Sequence, residues 1–225
     1  MPTKSFVPTK SLLGVALLTG LIACSSGFAR SKPVALPDAK VDVPVAKGDQ
    51  TAVFAGGCFW GVEAVFDHVK GVKQATSGYS GGDASTANYE TVSTGRTGHA
   101  ESVKVVYDPT KVSYGQLLKI YFSVVHDPTQ LNRQSPDSGT QYRSEIYTTN
   151  AAQQNVAKAY IAQLSAAKVF SAPIVTKVEP LKAFYAAEGY HQKYLSLHPN
   201  EPYIVINDAP KVVELKQMFP ALYKG

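Results

Sequence analysis

The chain has 225 residues, of which 44% are hydrophobic, which suits one sizeable core and argues against a disordered or fibrous protein. Its formal charge of +5 includes Lys4 and Lys10, so a chain lacking its first 23 residues carries +3. With no basic stripe interleaved with aromatics, that balance speaks against nucleic acid as a partner.

Residues 1–10 carry two lysines and no acid, and 11–23 are almost wholly apolar but too short for a comfortable membrane span, so the segment reads as a secretory signal. It ends in Leu21-Ile22-Ala23-Cys24-Ser25, which resembles the bacterial lipoprotein signal box. That resemblance implies cleavage before Cys24, lipid on its sulfur, and a chain held to a membrane outside the cytoplasm, on the periplasmic face in a Gram-negative cell. More than one acyl chain is needed for stable anchoring. An ordinary secretory signal cleaved nearby is the plainer alternative. Three units are therefore expected: a signal peptide over 1–23, an extended tether over 24–49 broken by Pro33, Pro37 and Pro44, and a domain over 50–225.

The domain opens with Thr51-Ala52-Val53-Phe54-Ala55-Gly56-Gly57-Cys58-Phe59-Trp60-Gly61-Val62-Glu63, read as buried strand, glycine turn and helix start. A cysteine at that turn faces unpaired backbone N–H groups and the positive end of the helix dipole, which favours thiolate over thiol. The alternative is a small core residue, as free cysteines usually are. Phe59, Val62, Phe66 and Val69 then follow helical spacing. A strand is expected over 72–79, with Tyr79 at the mouth of the Ser80-Gly81-Gly82-Asp83 turn.

In Gly98-His99-Ala100-Glu101-Ser102-Val103-Lys104-Val105-Val106-Tyr107, Glu101 has the parity of the apolar face, where desolvation makes a carboxyl hold its proton. It points to water if the strand begins later. Ser113 to Gln116 forms a capping box ahead of a helical stripe from Tyr114 through Leu117, Leu118, Tyr121, Phe122 and Val125. A long polar loop from His126 runs through Asp137 to Tyr142, a length that points to function or disorder. A strand over 144–148, a helix capped by Asn150, a strand over 174–179, a short strand over 203–206 and a helix capped by Asp208 complete the domain. Five scattered histidines show no ligand spacing, and no phosphate-binding glycine loop occurs, so no metal and no cofactor are expected.

Taken together, Gly56-Gly57-Cys58-Phe59-Trp60-Gly61, Gly78-Tyr79-Ser80-Gly81-Gly82, Gly98-His99-Ala100-Glu101, Tyr107-Asp108-Pro109, His126-Asp127-Pro128 and Gly139-Thr140-Gln141-Tyr142-Arg143-Ser144 resemble the peptide methionine sulfoxide reductase A family. The resemblance spans residues 51–197. It implies an α+β two-layer sandwich with a ferredoxin-like βαβ core, a long active-site loop and an extended C-terminal segment. It implies reduction of the S epimer of methionine sulfoxide, free or in proteins, with Cys58 as nucleophile, Glu101 as proton donor, and Tyr79 and Tyr142 as oxygen-side hydrogen-bond donors. Phe59 and Trp60 would hold the substrate methyl group, and Asp137 its backbone. Such an enzyme leaves a sulfenic acid on its cysteine. The chain has 2 cysteines and none near its C-terminus, so an outside reductant, a thioredoxin-like protein or another thiol, is expected to regenerate it. Two rivals stay open: a cysteine hydrolase using His99, His126, His191 or His198 as base, and a non-catalytic module binding oxidised segments.

Overall fold

The computed structural model describes residues 36–225. Its strands and helices are β1 (Gln50–Gly56), α1 (Phe59–Asp67), β2 (Val72–Ser80), α2 (Tyr89–Val92), β3 (Ala100–Tyr107), α3 (Tyr114–Ile120), β4 (Arg133–Gln134), β5 (Asp137–Ser138), β6 (Ser144–Thr148), α4 (Ala151–Ala166), β7 (Lys177–Pro180), β8 (Tyr185–Ala186), α5 (Tyr194–Leu197) and α6 (Ala209–Met218). The main sheet runs β7-β6-β1-β3-β2-β8, with every pairing antiparallel except β6 with β7. Its inner four strands, β6-β1-β3-β2, have the order of a ferredoxin-like split βαβ unit, as expected.

Strand β1 is buried on both faces, which explains its unbroken apolar run. Phe54 stacks on Phe66 of α1 and on Tyr121, each with centroids 5.1 Å apart, and so joins sheet to helical layer. Val53 and Ala55 point the other way, into a smaller cluster with Ala100 and Tyr147 that Leu181 and Phe184 cover. Burying one such side chain stabilises the fold by roughly 1.5 to 3 kcal/mol. The capping box forms as expected: the Ser113 hydroxyl accepts the Gln116 N–H while Gln116 accepts the Ser113 N–H. The helix then widens into a π-helical turn, Tyr121–Val125, which lets the Tyr121 hydroxyl donate to the Ala55 carbonyl at 2.6 Å. Asn150 caps α4, whose Val156, Tyr160 and Leu164 are buried.

Four expectations need correction. The strand expected over 174–179 is Lys177–Pro180, because pairing begins only where Lys177 meets Glu145. The strand expected over 203–206 is helical: Ile204–Asp208 is a π-helical turn leading into α6, with Val205 and Ile206 exposed. An apolar run without a neighbouring edge to pair with has no use for strand geometry. Asp208 does not cap α6; its carboxylate turns inward to Lys211. The described part of the expected tether, residues 36–49, is irregular but pinned to the domain. Leu36 is buried, the Tyr160 hydroxyl donates to the Pro37 carbonyl, and Asp42 accepts the Gly115 N–H. The expected signal peptide and Cys24 lie outside the described residues.

Candidate active site

The site forms where β1 ends. Gly57 has φ +93°, a conformation that L side chains avoid, and a Cβ there would lie 2.7 Å from the Gln134 side chain. Glycine therefore lets the 126–143 loop cross directly over the turn. Cys58 follows at the N-cap of α1 and is 8% exposed.

The antiparallel register of β1 with β3 pairs Phe54 with Val103, which carries Glu101 to the level of the Gly56–Cys58 turn. There the Phe59 N–H donates to Glu101 Oε2 at 2.9 Å. Glu101 is thus inward, 2% exposed, and burial lifts its pKa to about 8; the Phe59 N–H opposes the rise, and Asp137 and Asp208 add to it. At neutral pH it is a carboxylic acid with a proton to give. The pull toward thiolate expected from the helix start is present but outweighed in the resting site. Burial pushes the Cys58 thiol up, Glu101 and Asp208 push it further, and the Trp60 N–H and Lys211 pull it down less strongly. The helix N-terminus acts in the expected direction, but desolvation outweighs it.

Tyr142 ends the short turn Thr140–Tyr142 on the long loop. Burial raises its pKa, as do Glu101, Asp137 and Cys58, so its phenol stays protonated and faces those groups. Tyr79 behaves differently. It lies opposite Glu101 in the β2–β3 register, yet its hydroxyl reaches past to donate to Glu188 Oε2 at 2.8 Å. It is 0% exposed, and its ring packs against Phe59 with centroids 5.9 Å apart. Tyr79 is a wall behind the site and not a donor into it.

The sequence reading missed Tyr89. Its backbone N–H is held by Glu188 Oε1 at 2.9 Å, and burial, Glu101 and Cys58 raise its phenol pKa, in that order. Its phenol therefore lies within the electrostatic reach of both Glu101 and Cys58. Only its place on α2, after the glycine turn, brings it there.

An aromatic cage closes the site. Phe59 is 1% exposed and backs the half-buried Trp60, whose indole stacks on Tyr194 at 3.8 Å and donates to His191 Nδ1 at 3.1 Å. Tyr203 meets Trp60 edge-on and donates its hydroxyl to Asp137, which the loop brings to the same rim. Arg143 ties the two acid-bearing segments together. It donates to the carbonyls of Gly98 and His99, just before Glu101, and to that of Thr140, just before Tyr142. The buried Glu145 carboxylate anchors its guanidinium. His99 and His126 are committed elsewhere: His99 holds the Gly82 N–H and the Asp83 carbonyl, and His126 lies against the Tyr121 carbonyl and the Thr176 hydroxyl. Neither serves as a base for Cys58.

A buried thiol, a neutral carboxylic acid, two protonated phenols and an apolar cage suit attack by sulfur on a polar bond whose oxygen must be protonated as it leaves. Comparison with known proteins agrees. The family described as peptide methionine sulfoxide reductase matches residues 50–222. Peptide methionine sulfoxide reductase MsrA 2 of Mesorhizobium japonicum is 63% identical over 183 residues, covering 81% of this chain and 94% of that protein. MsrA 2 of Synechocystis is 53% identical, covering 82% and 88%. Among solved structures, methionine sulfoxide reductase A of Corynebacterium diphtheriae superposes with TM-score 0.60 at 38% identity, covering 68% of this chain and 77% of that one. Reduced Mxr1 from Saccharomyces cerevisiae gives TM-score 0.61 at 32% identity, covering 72% and 92%. With its catalytic domain matched almost from end to end, the chain belongs to the peptide methionine sulfoxide reductase A family.

Proposed function

We propose that this methionine sulfoxide reductase acts on the S epimer, free or in proteins, with Cys58 as nucleophile and Glu101 as acid. Cys58 attacks the sulfoxide sulfur and the oxygen passes to the cysteine: the thiol and the sulfoxide become a sulfenic acid and a thioether. Glu101 delivers its proton to the departing oxygen and takes the thiol proton in return. Tyr89 and Tyr142 donate hydrogen bonds to that oxygen, so no charge develops unsupported. Trp60, backed by Phe59, receives the methyl group, and Asp137 with Tyr203 meets the substrate backbone. What supports this reading above all is Glu101, buried and neutral beside the first turn of α1, on which Cys58 sits.

With Cys58 the one free cysteine among the described residues, an outside thiol, such as that of a thioredoxin-like protein, attacks the sulfenic acid, releasing water and leaving a mixed disulfide. A second thiol then frees Cys58. Lipid on Cys24 holds the enzyme at a membrane facing the oxidising side, in keeping with the signal box that ends at this cysteine.

The test is a single turnover without reductant, using purified protein and a peptide carrying either epimer. About one equivalent of methionine per Cys58 is expected from the S epimer and none from the R epimer, with loss of one free thiol. Methionine formed by Cys58→Ser at the wild-type rate overturns the assignment, as does absence of turnover with either epimer.

A further inference from the structure

The C-terminal segment adds a feature that the reaction as described does not use. Helix α6 lays Asp208 and Lys211 over the first turn of α1, where the two form a buried ion pair, Lys211 Nζ to Asp208 Oδ1 at 3.0 Å, with side chains 8% and 0% exposed. The approach is close enough to require Gly61: a side chain there would collide with Asp208 Oδ1 and lie 2.7 Å from Lys211 Nζ. Gly61 is three residues beyond Cys58, so the pair covers the same side of the helix start. Asp208 Oδ2 is also buried and has no hydrogen-bond partner among the described residues. A buried pair with an unsatisfied oxygen is a poor device for stability alone.

We propose that the Asp208–Lys211 pair sets the reactivity of Cys58: Asp208 keeps the resting sulfur a thiol, and Lys211 supports negative charge on that sulfur when it attacks or leaves. Both face the helix start through Gly61 and act on the sulfur through their charge, so both are positioning residues. Asp208 lies against the positive end of the α1 dipole and offsets the field that favours thiolate there. Lys211 carries the opposite sign to the same place, and burial leaves both fields weakly screened by salt. The other groups acting on Cys58 are the Glu101 acid from β3, Tyr142 from the long loop, Tyr89 from α2, and Tyr194 and Tyr203 from the C-terminal segment, while Asp137 from the long loop acts on the pair itself. Among the described charges acting on the sulfur, Lys211 is the cation. In a chain that depends on an outside thiol, the same ammonium also supports Cys58 as the leaving group when the mixed disulfide is cleaved.

This inference rests on Cys58 being the nucleophile, so the test reads the thiol directly. The pH dependence of Cys58 alkylation by iodoacetamide is measured for the wild type, Lys211→Met, Lys211→Arg, Asp208→Asn and the double variant Asp208→Asn/Lys211→Met, with circular dichroism as the fold control. Lys211→Met is expected to move the midpoint up and slow alkylation at a fixed pH below it by about tenfold. Lys211→Arg keeps it within about twofold of wild type, because the positive charge is retained. Asp208→Asn moves it down. Should a single variant fail to fold, the double variant leaves no buried charge unpaired, and its midpoint must lie above that of Asp208→Asn and below that of Lys211→Met, because each comparison changes one charge of known direction. Midpoints that do not move, or single variants whose midpoints move in the same direction, overturn the proposal. Midpoints that move as expected without methionine release from sulfoxide would leave the pair's role standing and remove the reductase reading.

Discussion

At the level of single residues, the site works by keeping protons on groups that usually lose them. Glu101 is the decisive case, since its pKa of about 8 makes it an acid only below that pH. Single-turnover methionine formation is therefore expected to hold from neutral pH downward and to fall as pH rises through about 8. Glu101→Gln is expected to slow the step by about 10² to 10⁴ and to remove that fall, the usual range for a lost general acid. The two tyrosines near it separate by the same measurement. Tyr89→Phe removes a phenol facing Glu101 and Cys58, and is expected to slow the step by about tenfold or more. Tyr79→Phe removes a hydroxyl committed to Glu188 and is expected to leave the step within about fivefold, near the 1 kcal/mol of an ordinary hydrogen bond. A loss with Tyr79→Phe as large as that with Tyr89→Phe would end the distinction between them. Cys58 and Glu101 were legible in the sequence because turn geometry and strand parity place them. Tyr89 was not, since its place depends on Glu188, which lies 99 residues away along the chain.

Among the elements, α1 carries a second proton-holding acid. Glu63 is buried, with Oε2 accepting the Ser77 hydroxyl and the Lys193 N–H, while Oε1 has no hydrogen-bond partner among the described residues. Burial lifts its pKa from 4.5 to about 7, against the two hydrogen bonds. A carboxyl raised in the folded state holds a proton there that the unfolded chain has already lost. Stability is full below about pH 4.5, falls as pH rises, and has lost the whole contribution above about 7. Glu63→Gln keeps the accepting oxygen and cannot ionise, so it is expected to melt like wild type near pH 4.5 and higher than wild type at pH 8. The gain is on the order of 3 kcal/mol, since a tenfold change in proton affinity is worth about 1.4 kcal/mol and the rise from 4.5 to about 7 spans more than two such steps. The Glu101 contribution remains in both proteins. Equal melting temperatures at pH 8 would show that Glu63 ionises without cost. Through Lys193 and Gln192, this helix also holds the C-terminal segment to β2, which links the stability of α1 to closure of the aromatic cage.

For the whole molecule, the division is between a sheet that carries Cys58 and Glu101 and two long segments that fold over them. Ahead of the domain, residues 36–43 are fastened to α3 and α4, so the reach of any tether is shorter than the composition of 24–49 suggests. If lipid on Cys24 anchors the enzyme as proposed, the protein partitions with membranes and Cys24→Ser releases it to the soluble extracytoplasmic fraction with unchanged turnover. A wild-type protein found wholly soluble would end that reading. The sequence by itself determined the strand, glycine turn and helix that present Cys58, the parity of Glu101 with the apolar face and the capping box of α3, because each rests on periodicity or turn chemistry within a few residues; the family was legible in the order and spacing of motif blocks spread over residues 51–197. Only the tertiary structure decided which tyrosine faces the sulfur, that Asp208 joins Lys211 over α1 instead of capping α6, and that the resting sulfur is a thiol. These depend on burial and on charges brought together from distant segments, and desolvation is a property of the packed molecule that no local pattern encodes.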